Sequence, residues 1–199
     1  EYFYKKVIGY TKPIKENLTY LQYKLKAKAG IVDLHLHYSQ LERAEKMLYS
    51  ILHSCFKHKD MLILVDKMID RYLTYLVDKK IWFSDNRQVK EFTDFLMNHA
   101  ELQKLILKSK PSERSIARLI WIADAYRRSA HQVLFEQYLL KFFSFFTSWQ
   151  DVRSNIIKYL QFLNREEQEN FLSYAEELHH RYKNLEKYRK LFKIDKSKK

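Results

Sequence analysis

The chain has 199 residues, of which 46% are hydrophobic and 16% aromatic. A composition this apolar can bury a real core, which excludes disorder of the whole chain. Only two glycines and two prolines occur, and a many-stranded sheet is hard to build without residues that suit tight turns. The composition therefore predicts an all-α fold, as one domain over residues 1–194 or with a subdivision near residue 110.

The net charge is +13. A charge of this sign favours an anionic partner such as nucleic acid or an acidic protein, or it serves only solubility. The single cysteine, Cys55, excludes an internal disulfide and a cysteine-based zinc site, and it indicates a reducing intracellular compartment, cytoplasmic or nuclear. No apolar run approaches the ~18 residues that a bilayer span needs. A membrane is not the expected partner, although the basic amphipathic segment 14–28 leaves peripheral lipid contact open.

Apolar residues recur at helical spacing along most of the chain, and they predict about eight helices. The first is expected to begin at Pro13 and to end at Gly30, since proline suits a first turn and glycine a C-terminal stop. A second helix is expected over about 33–57. Asp60 can cap a third, which ends near Lys80, where cations favour the helix C-terminus.

The second half of the chain has clearer helix boundaries. A fourth helix is expected to begin near Ser84 or Asp85, with a break near Asn98. Pro111 opens a strongly apolar segment, residues 112–146, which we expect at the centre of the fold with a bend at 129–131. Ser148 and Asn164 begin patterns typical of N-terminal capping pairs for the last two helices.

These helices group into four antiparallel hairpins that could pack as a helical bundle or as a short α-solenoid. The expected hairpins cover roughly residues 13–58, 60–109, 111–147 and 149–194. The remaining residues, 195–199, are expected to form a disordered basic tail.

Residues 102–128 carry a cluster of cations that can be interpreted as a helix-turn-helix. Its second helix would begin near Ser112 and read base edges in the major groove, while lysines contact phosphates. Two features favour an ordinary helical hairpin instead, namely a turn without glycine and an apolar continuation over 119–126. The candidate nucleic-acid-binding residues are Lys104, Lys108, Lys110, Ser112, Arg114, Ser115, Arg118, Arg127 and Arg128.

Tyrosines interleave with cations near both ends of the chain, a pattern that could stack unpaired bases or could simply line the wet edge of a core. The last helix carries apolar residues at strict seven-residue spacing, which predicts a seam that packs within its own domain or against a partner helix. The seam consists of Phe171, Leu178, Leu185 and Phe192.

No glycine-rich phosphate loop, nucleophile elbow or complete set of metal ligands occurs in the sequence. The chain is therefore expected to be non-enzymatic, without cofactor or metal. We interpret it as a helical binding or scaffold module whose partner is another protein. The alternative is a basic nucleic-acid-binding regulator that uses residues 102–128.

Overall fold

The structure is a computed structural model that describes residues 1–10, 18–55, 62–84, 86–108 and 113–183. All regular structure in these residues is helical, which confirms the all-α prediction. The described residues form eleven helices rather than about eight, and the grouping into four hairpins is not confirmed. In chain order the helices are α1 (Tyr2–Tyr10), α2 (Leu18–His37), α3 (Leu41–Cys55), α4 (Leu62–Asp78), α5 (Ile81–Ser84), α6 (Asn86–Met97), α7 (Ala100–Lys108), α8 (Glu113–Arg128), α9 (Gln132–Phe143), α10 (Trp149–Tyr159) and α11 (Arg165–Lys183). None of these helices combines the length and the apolar character that a membrane crossing needs.

The chain divides into two compact units. Unit 1 covers Glu1–Tyr75, and unit 2 begins at Leu76. The boundary falls inside α4, whereas the sequence placed its alternative subdivision near residue 110. A single domain over residues 1–194 stays a prediction.

Unit 1 is built on antiparallel helices. Lys28 on α2 donates to the Ser50 hydroxyl on α3 at 3.1 Å, and a tight turn joins the two helices with Ser39 in the left-handed region at φ 56°. Helix α4 is tied to α3 because the Tyr72 hydroxyl donates to the Glu45 carboxylate. The core of the unit consists of fully buried aliphatic side chains, among them Leu25, Ile31, Leu48, Ile51, Leu52, Ile69 and Leu73.

Gly30 does not end a helix, so the prediction of a stop at this position is wrong. Helix α2 runs through Gly30 to His37, and the predicted start at Pro13 lies outside the described residues. A Cβ atom at Gly30 would lie 2.5 Å from Cζ of Tyr4. The glycine therefore lets α1 approach α2 closely, a contact that helical spacing within α2 could not reveal.

Two further boundaries differ from the predictions. The helix expected over 33–57 begins only at Leu41 in the structure, because α2 takes up the residues as far as His37. Helices α1 and α5 were not predicted at all. Both are short, and α5 has only four residues, too few to show a helical period.

Unit 2 is organised around α8. Ten consecutive residues of this helix, 117–126, are buried, and α8 packs against α6, α9 and α10. All but two of these ten residues, Arg118 and Asp124, are apolar, and a helix that is apolar on most sides is buried, so the segment lies at the centre of unit 2. The turn at 129–131 also occurs, with Ala130 in the left-handed region at φ 58°.

Several helices of unit 2 end or begin at the positions predicted from the sequence, and polar side chains cap them there. The expected break near Asn98 separates α6 from α7, and the Gln103 side-chain amide donates to the Leu96 carbonyl at 2.7 Å. The Ser148 hydroxyl accepts from the Asp151 amide at 3.1 Å. The Asn164 side chain accepts from the Glu167 amide at 2.8 Å. These caps satisfy backbone groups that a helix end leaves unpaired.

Ile120→Ala tests the central position of α8. Ile120 is fully buried, so the substitution is expected to lower the free energy of unfolding of unit 2 by about 2–5 kcal/mol. Urea unfolding followed by tryptophan fluorescence measures this unit selectively, because all three tryptophans lie in it. Val133→Ala is the control, since Val133 is 70% exposed and should cost less than about 0.5 kcal/mol. Equal effects of the two substitutions would contradict the assignment of α8 to the core.

Candidate binding surfaces

The C-terminal end of α8 carries a buried acidic side chain that two arginines share. Asp124 is fully buried. Arg127 donates to its Oδ1 at 2.8 Å through Nη2, and Nε of Arg128 lies 3.0 Å from its Oδ2. A buried charge without partners is strongly unfavourable. The two guanidinium groups therefore allow the carboxylate to be buried.

Arg128 also connects α8 to two other helices. Its Nη2 donates to the Trp82 carbonyl on α5 at 2.7 Å, and its Nη1 donates to Asn86 on α6 at 3.3 Å. Burial lowers the pKa of Arg128 below its usual value, and Asp124 offsets part of this effect. Arg128 thus connects α8 to α5 and α6 within unit 2.

The predicted nucleic-acid-binding residues do not form one exposed surface. Arg118 is fully buried, so in this conformation it cannot reach a base edge as predicted, and Arg127 and Arg128 point to Asp124. Lys104 and Lys108 on α7 are exposed. The predicted surface does not form because α8 is surrounded by other helices, so that these arginine side chains lie within unit 2 and not on an exposed helix face.

Four of the predicted residues receive no structural placement of their side chains. Lys110 and Ser112 lie outside the described residues. Arg114 and Ser115 lie in the first turn of α8, and only their backbone is described. For these four, contact with phosphates or bases stays a prediction.

The heptad seam of α11 lies partly in the core of unit 2. Phe171 and Leu178 are fully buried, and the Phe171 ring packs edge-on against Phe135 of α9 at 5.5 Å. Their prediction as contacts for a partner helix does not fit this burial, because each side chain already packs within its own unit. Leu185 and Phe192 lie outside the described residues.

A shallow cleft opens between α6 and the turn that joins α8 to α9. It has a volume of about 230 Å³, and its lining includes Val89, Lys90, Asp94 and His131. Pockets that enclose a small molecule typically have volumes of about 300–1,000 Å³. The volume of the cleft lies below this range.

Histidine, cysteine and carboxylate side chains form no group of three or more that could hold a metal ion in the described parts of the chain. His35 donates through Nδ1 to the Gln40 side chain at 2.9 Å, which closes the turn between α2 and α3. Burial raises the pKa of Cys55 to about 11. The thiol is therefore protonated at neutral pH and is a poor nucleophile.

Unit 1 exposes several aromatic side chains at one end, which we call the aromatic end and define as Tyr2, Phe3, His37 and Tyr38. Tyr2, Phe3 and Tyr38 are 71%, 78% and 68% exposed. Lys5 lowers the pKa of Glu1 below its usual value, and His35 contributes to the same effect. Helix α1 packs against α2, and the Tyr4 ring lies against Gly30, so both pairs of rings belong to one pair of packed helices.

A second aromatic surface lies in unit 2, and we call it the aromatic platform. It consists of Phe83 on α5 and Phe162 in the turn after α10, whose ring centroids lie 5.7 Å apart at an interplanar angle of 36°. The Lys80 ammonium lies 6.0 Å from the centroid of the Phe162 ring. Phe162 remains 38% exposed.

Neither aromatic surface was predicted from the sequence. The platform joins Phe83 with Phe162, and the aromatic end combines residues of α1 with residues at the end of α2, so both surfaces draw on residues that are distant along the chain. Neither α1 nor α5 was recognised as a helix. The exposed N-terminal sequence Tyr2-Phe3-Tyr4 was the only signal that could have pointed to the aromatic end.

No protein-family model matches the chain, and no curated protein or solved structure matches it either.

Asp124→Asn tests the buried ion pairs of α8. The substitution removes the charge that Arg127 and Arg128 share, and it leaves unpaired two arginine side chains that are only 27% and 13% exposed. We expect the free energy of unfolding of unit 2 to fall by about 3 kcal/mol. Glu169→Gln is the control, because it removes an exposed pair with Arg165 and should cost less than about 1 kcal/mol. Urea unfolding of both variants makes the comparison, and a loss below 1 kcal/mol for Asp124→Asn would contradict the account.

Proposed function

We propose that the chain is a non-enzymatic binding module whose partner is another protein, and that the partner docks on the aromatic end of unit 1. The observation that carries the proposal is the exposure of three aromatic side chains at one end of two packed helices. Tyr2, Phe3 and Tyr38 each leave at least two thirds of their surface to solvent.

Exposed aromatic groups in one place favour protein binding. Tyrosine and phenylalanine are enriched in protein interfaces, and buried aromatic anchors often supply most of the binding energy. The rings of Tyr2 and Phe3 pack edge-on at 5.7 Å, and those of His37 and Tyr38 do so at 5.1 Å. Because each ring already has a neighbour, a partner would meet a partly ordered surface, which lowers the entropy lost on binding.

The charges beside the aromatic end favour a protein over a nucleic acid. Lys5 forms an ion pair with Glu1 at 2.7 Å, and Arg71 pairs with Asp33. A phosphate backbone is bound mainly through cations that can replace its counterions. Cations that already face carboxylates are less suited to this, so apolar contact is expected to dominate here.

The non-enzymatic part of the proposal rests on how three charged groups of unit 2 are used. Asp124, Arg127 and Arg128 are engaged with one another inside the unit, and the cleft near Lys90 and His131 is small. Acid–base catalysis needs a titratable group that can reach a substrate in a pocket. These groups instead hold helices in place.

The triple variant Tyr2→Ala, Phe3→Ala, Tyr38→Ala tests the docking surface. Partners would be enriched from the cells that produce the protein, purified, and titrated with wild type and variant by calorimetry. Loss of the anchors is expected to weaken binding at least about 30-fold, which corresponds to about 2 kcal/mol. The affinity should change little between low and high salt, because apolar contact dominates.

Tyr23→Ala is the matched control, because Tyr23 is 58% exposed on α2 but lies about 22 Å along the helix from Tyr38 at 1.5 Å per residue. It should retain the wild-type affinity. Equal binding by the triple variant would exclude the aromatic end as the docking surface. Enrichment of nucleic acid alone would favour the alternative of a nucleic-acid-binding regulator.

A further inference from the structure

The aromatic platform of unit 2 is a surface that the proposed function does not use. Phe83 and Phe162 are 79 residues apart in the sequence, and their rings meet at 5.7 Å. Phe162 is 38% exposed, so part of its ring faces solvent. Large apolar side chains at the surface indicate an interaction site when they lie together with specific polar groups.

Both halves of the platform are anchored to α8. Arg128 donates to the carbonyl of Trp82, the residue before Phe83, at 2.7 Å. Trp121 donates through Nε1 to the carbonyl of Tyr159 at the end of α10, at 3.0 Å, three residues before Phe162. Two hydrogen bonds from one buried helix therefore fix the positions from which the rings extend. A surface held in this way is pre-organised for a ligand.

Two exposed lysines follow α4 and lie directly before α5. Lys80 lies over the Phe162 ring at 6.0 Å, and Lys79 is its neighbour in the chain. Within the described parts of the chain, neither lysine forms an ion pair with a carboxylate. This differs from Lys104, which lies 2.9 Å from Glu101, and from Arg165, which lies 2.7 Å from Glu169. Cations without a carboxylate partner are the ones best placed to bind an anion.

We propose that the aromatic platform binds single-stranded nucleic acid, with an unpaired base stacked on Phe162 and the flanking phosphates contacted by Lys79 and Lys80. Stacking of a base on an aromatic side chain contributes more than an exposed cation–π contact. The base can therefore displace the Lys80 ammonium from the ring, and the released ammonium can pair with a phosphate. Both groups gain a partner in the complex.

A single strand fits this surface better than the other polyanions do. In a duplex the bases are stacked within the helix, and a projecting ring reaches them only by unstacking a base step. An acidic peptide satisfies the lysines but offers no planar group for Phe162. An unpaired nucleotide offers a phosphate and a planar base together. The base and phosphate chemistry is shared by RNA and single-stranded DNA, which the experiment separates.

The test is a titration of the full chain with fluorescently labelled oligo(U) and oligo(dT) of about ten nucleotides, a length within the usual site size. Anisotropy is measured at several salt concentrations. Phe162→Leu removes the ring but retains an apolar side chain, and it is expected to weaken binding about 5–10-fold, the effect of losing one stacked base. Lys79→Gln/Lys80→Gln should weaken binding and reduce the slope of log affinity against log salt by about 1.4, since each phosphate contact on a single strand contributes about 0.7.

The control is Lys104→Gln/Lys108→Gln, which removes the same charge from α7 in the same unit. It should retain the wild-type affinity within about twofold, since those lysines lie outside the platform. Residues 184–199 carry seven cations against Glu186 and Asp195, and they contribute the same salt-dependent background to every variant. Circular dichroism establishes that each variant is folded before it is titrated.

Three results would overturn the proposal. One is an equal or larger loss of affinity in the Lys104/Lys108 control, which would place binding on α7. Another is affinity for duplex DNA or displacement by polyglutamate that matches the single strand, which would show attraction by charge alone. The third is wild-type affinity in both Phe162→Leu and Lys79→Gln/Lys80→Gln. A difference in affinity between oligo(U) and oligo(dT) would identify which single strand the platform prefers, provided that the platform variants no longer show this difference.

Discussion

The carboxylate of Asp124 is the group on which the order of unit 2 depends. It is fully buried, and its charge is balanced by Arg127 and Arg128. Because Arg128 also donates to the Trp82 carbonyl, the ion pair connects the end of α8 to α5. A buried pair of this kind contributes little net stability compared with apolar packing, but removing one member is costly. We infer that it favours one arrangement of the helices over others.

The same constraint explains why the arginines of α8 do not form an exposed cationic surface. Over ten residues every face of α8 is buried, so Arg118 lies inside the unit. Arg127 and Arg128 follow this stretch, and both pair with the carboxylate of Asp124. The surfaces that we propose for binding lie elsewhere, at the aromatic end of unit 1 and at the platform of unit 2. Both expose rings beside cations. They differ in that Lys5 already pairs with Glu1, whereas Lys79 and Lys80 have no such carboxylate among the described residues.

Much of the helical architecture could be predicted from the sequence, but the candidate surfaces could not. The caps at Ser148 and Asn164, the break near Asn98 and the buried character of α8 follow from local patterns of polar and apolar residues. Gly30 was misinterpreted because a glycine within a helical pattern indicates a stop equally well as a close contact, and only the approach of Tyr4 distinguishes the two. Arg118 was assigned to the surface because charge alone predicts exposure. Phe83 and Phe162 meet only through tertiary packing, for which the sequence has no local signal.

The most direct test of the central position of α8 is the reactivity of its arginine side chains. Phenylglyoxal modification is mapped by mass spectrometry in buffer and in 8 M urea. The comparison gives the reactivity of each guanidinium group in the folded and in the unfolded protein. Arg118 should remain unmodified in buffer and react in urea, whereas Arg153, which is exposed on α10, should react in both. Rapid modification of Arg118 in the folded protein would contradict the account and would return α8 to consideration as a nucleic-acid-reading helix.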